Sequence, residues 1–169
     1  NAGVVGTNGG VASTRAVVAQ ADLVLFVGCR AGSTTTEHWQ MPARSVTIVH
    51  LDVDAMTIGT NYRTDISLVA DALLGLRALI QAIEERGGKR PWDAVDGYVL
   101  TAKARAEKWA FFAPLAASTD RPIKPERVVD ALNRLLPARS VVVADPGTPC
   151  PYLSAYFNAP QAGRYFITT

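Results

Sequence analysis

Charge is scarce in this sequence and cysteine nearly absent: 19% of residues are charged and two are cysteine. The scarcity of charge, beside an apolar content of 49%, excludes a disordered polyelectrolyte and marks a chain that buries much of itself. Basic residues are also few and scattered. Lys and Arg number 17 against 15 Asp and Glu, and no basic stripe of the kind that tracks nucleic-acid phosphates is visible, so nucleic acid is not an expected partner. Cys29 and Cys150 lie far apart with no CxxC or Cys/His spacing around either. That excludes a disulfide framework and a structural zinc site, and suits reduced thiols at strand ends in a cytoplasmic protein. Long hydrophobic runs are missing too: "ADLVLFVGC" (21–29) falls well short of the roughly 20 apolar residues that cross a bilayer. Residue 1 is Asn and no basic-then-apolar signal segment follows it, so neither membrane nor secretory targeting is read from these residues, and an Asn start suggests a preceding segment.

What the sequence does have is alternation. At 169 residues it can make one domain or parts of two. Three runs, "DLVLFVG" (22–28), "SVTIVHLDV" (45–53) and "SVVVAD" (140–145), are nearly continuous apolar stretches rich in β-branched residues. Continuous apolarity suits strands buried on both faces of a parallel sheet better than half-exposed ones. Helical patterns surround them at Val11–Gln20, at 68–86 with a stop at Gly87-Gly88, at 94–112, and at 125–136 with Pro125 in the first turn. On the helix at 94–112, Val95, Val99, Ala102, Ala106 and Trp109 share one face, leaving Lys103, Arg105, Glu107 and Lys108 for a solvated face. "GGKRPW" (87–92) and "APLAASTDRPIKP" (113–125) break the periodicity. The expected fold is α/β with a doubly wound, mainly parallel, Rossmann-like sheet, followed by the first elements of a second α/β domain. The expected boundaries are 1–86 for a partial first domain, 87–121 for a linker with a helix, and 122–169 for the truncated start of the second.

Candidate ligand contacts gather at turns. "GVVGTNGG" (3–10) leads into a helix, where Gly6 and Gly9 can let backbone N–H groups approach a phosphate or simply form a tight turn. Gly28 ends a strand in "VGCRAG", and Arg30 just beyond it can grip a phosphate, stack on an adenine, or pair with a carboxylate at the sheet edge. "HLDVD" (50–54) places Asp52 and Asp54 at the next strand end, where an acidic residue can hold ribose hydroxyls; turn-capping suits Asp54 better than a metal, since no third ligand is near. His50 reads as a core histidine, and His38 has no visible partner for nucleophilic catalysis. Asp71 reads as a helix N-cap with room for a ligand. Finally, "VVVADPGTPCPYL" (141–153) runs a buried strand into a Pro- and Gly-rich loop of the kind that holds anions.

Taken together, "ADLVLFVGCR" and "VTIVHLDVDAMTIGTNYRTDISLVADALLGL" resemble the central domain of thiamine-diphosphate-dependent enzymes of the acetolactate synthase and benzoylformate decarboxylase type. The matching positions are Gly28, Arg30, His50, Asp52, Asp54, Ile58, Gly59, Asn61 and Asp71. Residues 122–169 are similar to the opening helix, strand and D-x-G loop of the same enzymes' diphosphate-binding domain.

The resemblance implies a cofactor, thiamine diphosphate with Mg²⁺, acting on a small 2-oxo acid in a homodimer or homotetramer of the full-length chain. It implies Gly147 and Thr148 as diphosphate contacts, with Asp145 ordering the turn. In relatives whose central domain holds FAD or ADP, Arg30, Asp52 and Asp71 match the nucleotide contacts, with Gly6 and Gly9 nearby. "GCRAGSTTT" departs from the GxRFDDR form of FAD-containing members. The family's activating Glu and its metal-holding GDG…N motif are not recognisable in these residues, since the one "DG", Asp96-Gly97, has no preceding Gly. The expectation is therefore a segment of a longer enzyme that does not catalyse alone and carries neither catalytic nor metal residues. Two further readings stand beside it: a nucleotide sensor for ADP, FAD or NAD, and a purely structural domain.

Overall fold

The computed structural model describes residues 1–88, 96–145, 147–159 and 165–167. Residues 89–95, near the start of the expected linker, lie outside the described set, as does Pro146 in the C-terminal loop. By contacts the chain divides into two compact units, one formed by Asn1–Ala16 with Thr101–Thr169 and the other by Val17–Leu100.

The unit Val17–Leu100 carries a three-stranded parallel sheet, β1 (Leu23–Val27), β2 (Thr47–Asp52) and β3 (Ile66–Val69), in the order β1-β2-β3. The register pairs Phe26 with His50 and Leu51 with Leu68. Parallel strands leave their hydrogen-bonding edges to neighbours on both sides, so the middle strand is the most enclosed. Thr47 is exposed while every later residue of β2 is buried, and Phe26, Ala31, Ile48 and Tyr62 form the core. Helix α2 (Ala72–Glu85) follows β3. It starts one turn later than the periodicity at 68–86 predicts, because Leu68 and Val69 pair with β2 as strand. Leu and Val serve a strand as readily as a helix, and Asp71 marks the true start: its side chain accepts the N–H groups of Leu73 and Leu74. Replacing Asp71 with Ala should lower stability by about 1 kcal/mol, read as a shift in the urea midpoint.

Large apolar side chains on this unit stay uncovered by the described residues, among them Leu73, Leu74, Ile80 and Ile83 of α2 and Ile66 and Val69 of β3.

In the other unit, helix α3 (Asp96–Ala116), of which residues from 101 belong here, and helices α4 (Pro125–Leu135) and α5 (Pro149–Tyr156) surround a second core. Helix α1 (Ala12–Ala19) begins in this unit, and strand β4 (Val142–Ala144) pairs in parallel with β5 (Tyr165–Ile167). The core is aromatic: Phe112 and Tyr156 have ring centroids 4.5 Å apart, and Trp109 meets Phe112 edge-on at 5.5 Å. The face predicted to be buried on α3 is not the one that is. Ala104 and Phe112 are buried and Lys108 and Trp109 half-buried, whereas Val99, Ala102 and Ala106 are exposed. Lys108 joins the inward stripe because its aliphatic stem can lie on rings while its ammonium finds an acceptor. Helix α4 follows its signals closely, with Pro125 at the first turn, Glu126 beside it and Arg134 in the last turn.

Candidate functional site

The loop after β4 positions the residues expected to meet a diphosphate. Gly147 has φ +142°, and among the described residues a Cβ placed on it would meet nothing nearer than Pro149 Cδ at 3.9 Å. Those residues leave the approach to its backbone open. Thr148 occupies the N-cap of α5, and its hydroxyl makes no capping bond there. Asp145 contributes to the turn through its backbone, whose carbonyl accepts the Cys150 thiol at 2.8 Å. Beside this loop lies a cavity of about 380 Å³ whose lining, including Pro125, Val129, Leu132, Tyr152 and Leu153, is almost wholly apolar apart from Thr148. A backbone open to approach, a hydroxyl and a helix N-terminus suit a diphosphate group. No cluster of three or more His, Cys, Asp or Glu that could hold a metal ion occurs among the described residues.

The glycines of the N-terminal loop answer to packing. Gly9 has φ +112°, and a Cβ there would stand 2.9 Å from Ser154 Cβ and 3.0 Å from the Pro151 carbonyl oxygen, so α5 occupies the space a side chain would need. Gly6 is buried with φ +89°, and its carbonyl accepts the Gly10 N–H at 2.9 Å.

The remaining sequence candidates belong to the other unit. Arg30 is exposed, and its carbonyl accepts from Asn61 Nδ2 at 2.8 Å, which explains Asn61 as a loop tie. Asp52 is buried and accepts the Asp54 N–H at 2.9 Å. Asp54 in turn accepts from the Met56 N–H and the Thr57 hydroxyl, the turn-capping role expected of it. His50 is buried, as a core histidine should be; its Nε2 lies 2.9 Å from the Cys29 carbonyl, which can only accept, so Nε2 carries the proton. His38 does have a partner that sequence spacing did not reveal, the Ser33 hydroxyl at 2.9 Å from Nδ1. The turn holding this pair places Glu37, His38 and Trp39 at positive φ, a local conformation with no signature in residue type.

Lys108, expected on the solvated face, turns inward instead. Its Nζ donates to the Ala155 carbonyl at 2.9 Å and stands 4.6 Å from the Trp109 ring centroid. Burial and then the neighbouring Arg105 charge hold its pKa below the ordinary lysine value. Burial, followed by the charge of Glu126, pushes the Tyr156 hydroxyl up. Because the folded pKa of Lys108 is depressed, the unfolded chain binds more protons in the window below 10.5, and stability rises with pH there. Wild type should accordingly gain melting temperature relative to Lys108→Met as pH climbs from neutral toward that value. A constant or shrinking advantage would contradict the desolvated ammonium.

The pattern of the family described as "Thiamine pyrophosphate enzyme, central domain" matches residues 1–79. A probable acetolactate synthase large subunit of Methanocaldococcus jannaschii is 33% identical over 136 residues, 79% of this chain and 21% of the relative. The acetolactate synthase isozyme 3 large subunit of Escherichia coli is 25% identical, over 86% of this chain and 25% of its own length. Pyruvate oxidase of Lactiplantibacillus plantarum is 28% identical over 77% of this chain and 20% of its own. Residues 1–79 thus carry the pattern of the central domain of thiamine pyrophosphate (thiamine diphosphate) enzymes, and the chain spans about a fifth to a quarter of the length of these relatives.

Proposed function

We propose that these residues serve a thiamine-diphosphate-dependent enzyme that decarboxylates a 2-oxo acid, joins the resulting fragment to an acceptor, or does both. The observation that carries the reading is the central-domain match over residues 1–79, on a chain whose C-terminal loop offers Gly147 and Thr148 at a helix N-terminus. When bound, thiamine diphosphate supplies the electron sink for loss of carbon dioxide. The part of this chain is to hold the diphosphate: Gly147 lets backbone approach it, and Thr148 donates a hydroxyl. The proposed parsing is a central-domain portion over 1–86, a linker over 87–121, and the start of the diphosphate-binding domain over 122–169. The activating Glu and the Mg²⁺ ligands come from other segments or a partner chain, so the 169 residues alone are inactive. A homodimer or homotetramer of the full-length protein, in the cytoplasm, is the proposed working form, and the uncovered apolar residues of α2 and β3 support burial against further protein. Nucleotide binding, FAD or ADP, is a subsidiary proposal resting on the exposed Arg30 and on Asp71, one of whose carboxylate oxygens, Oδ1, takes both capping bonds.

The test compares Gly147→Val with Arg30→Ala in the full polypeptide that carries these residues. Gly147→Val should raise the thiamine diphosphate concentration needed for half-maximal decarboxylation by about ten-fold or more, since a branched side chain blocks the backbone and resists positive φ. Arg30→Ala should leave that concentration unchanged. The reverse ranking would count against the assignment of the loop.

A further inference from the structure

A second place in the molecule is built for an anion, and it does not involve the Gly147 loop. Helix α1 begins at Ala12 behind Val11, a residue with no side-chain oxygen to cap it. Thr14 closes part of the gap, its hydroxyl accepting the Val11 N–H at 3.1 Å and donating to the Val11 carbonyl at 2.9 Å. The N–H groups of the first turn proper, Ala12 and Ser13, have no acceptor within the helix. Ser13 is 9% exposed, and its hydroxyl is buried without a hydrogen-bond partner. An orphaned buried hydroxyl costs on the order of 1–3 kcal/mol. Both Ser13 and Ala12 line a cavity of about 360 Å³, together with Val11, Glu107, Lys108 and Phe111.

Lys108 brings positive charge to the same cavity. Its ammonium has three donors, of which one is taken by the Ala155 carbonyl. Gly3 adjoins the ammonium, a Cβ built on it standing 3.5 Å from Lys108 Nζ. Glu107, the one carboxylate on the lining, stands 3.9 Å from Lys103 and is partly neutralised by it. Helix dipole, unpaired N–H groups, a hydroxyl in want of a partner and a partly desolvated ammonium all favour an anion.

We propose that the N-terminus of α1, with the Ser13 hydroxyl and the Lys108 ammonium, binds a phosphoryl anion, either free phosphate or the phosphoryl end of a small molecule. Several donors spread over more than one direction match a tetrahedral group better than a planar carboxylate. The apolar walls at Val11 and Phe111 leave room for an organic moiety. The site stands whether or not the chain serves a thiamine-diphosphate enzyme, because none of its residues belongs to the Gly147 loop.

Amide NMR spectra of the isotopically labelled chain, titrated at constant ionic strength with inorganic phosphate, ADP and acetate, test it. Saturable shifts at the Ala12 and Ser13 amides are expected with phosphate or ADP and not with acetate. Ser13→Ala and Lys108→Met should each weaken the response by about five-fold or more, as loss of a charge-assisted contact does. Tighter binding of ADP than of phosphate assigns the anion to a carried phosphoryl group, and the opposite order assigns it to free phosphate. Should Lys108→Met fail to fold, Ser13→Ala decides alone, because it removes only one oxygen. No saturable shift at these amides, an equal response to acetate, or undiminished affinity in Ser13→Ala overturns the proposal.

Discussion

Gly9→Ala should destabilise the unit that contains α5 by roughly 3 kcal/mol, combining a backbone conformation L-residues resist with overpacking against main chain. At φ +112° a non-glycine residue is strained before any neighbour is considered. The added methyl would then stand 2.9 Å from Ser154 Cβ, 3.0 Å from the Pro151 oxygen and 3.1 Å from the Ala155 nitrogen. Two of those three atoms are backbone in a helix, so relief requires α5 or the loop to move as a whole. Chemical denaturation followed by tryptophan fluorescence reports it directly, because Trp109 packs in the same core. Gly147→Ala is the control: its φ is also positive, but the described residues leave the space around it open, so only the smaller conformational cost applies. Equal effects of the two substitutions would mean that the contact with α5 does not matter.

Gly75→Val should cost the other unit about 2–3 kcal/mol, by overpacking alone. Gly75 lies inside α2, where glycine is ordinarily a loss, yet a Cβ there would come within 2.4 Å of Leu51 Cδ1 and 3.3 Å of Ala70 Cβ. Leu51 is 1% exposed, so moving its side chain aside would disturb the packing around it. The glycine is what allows α2 to lie close on β2. A loss of melting temperature in Gly75→Val larger than that in Asp71→Ala, which removes only a cap, is the expected ranking. A neutral or stabilising Gly75→Val would show that α2 does not rest on Leu51.

Much of this was legible in the residues, for identifiable reasons. The strands at 22–28, 45–53 and 140–145 announced themselves because strands of a parallel sheet tend to read as unbroken apolar runs. Pro125 and Asp71 gave helix starts, since a fixed φ and a short acceptor side chain act locally. What failed was whatever depends on a distant partner. The inward face of α3 was misplaced because Lys108 looks polar in any count, and only Trp109, Tyr156 and the Ala155 carbonyl give it reason to turn in. Helix α5 was overlooked behind two prolines, Pro149 and Pro151, although both fall within its first turn, where a missing N–H costs little. Among candidate site residues, Gly147 and Thr148 sit where a ligand can reach them, while Gly9 looked the same in sequence and is spoken for by α5. Spacing cannot separate a glycine with open space around it from one kept for a helix.

The proposed role of these residues is within a thiamine-diphosphate enzyme acting on 2-oxo acids. Its most direct test is release of carbon dioxide from pyruvate by the full polypeptide that carries them, measured with and without thiamine diphosphate and Mg²⁺, beside the 169-residue chain alone. The account predicts release that requires the cofactor in the full polypeptide and none from the 169 residues. Release that persists without thiamine diphosphate, or turnover by the 169 residues alone, would contradict it.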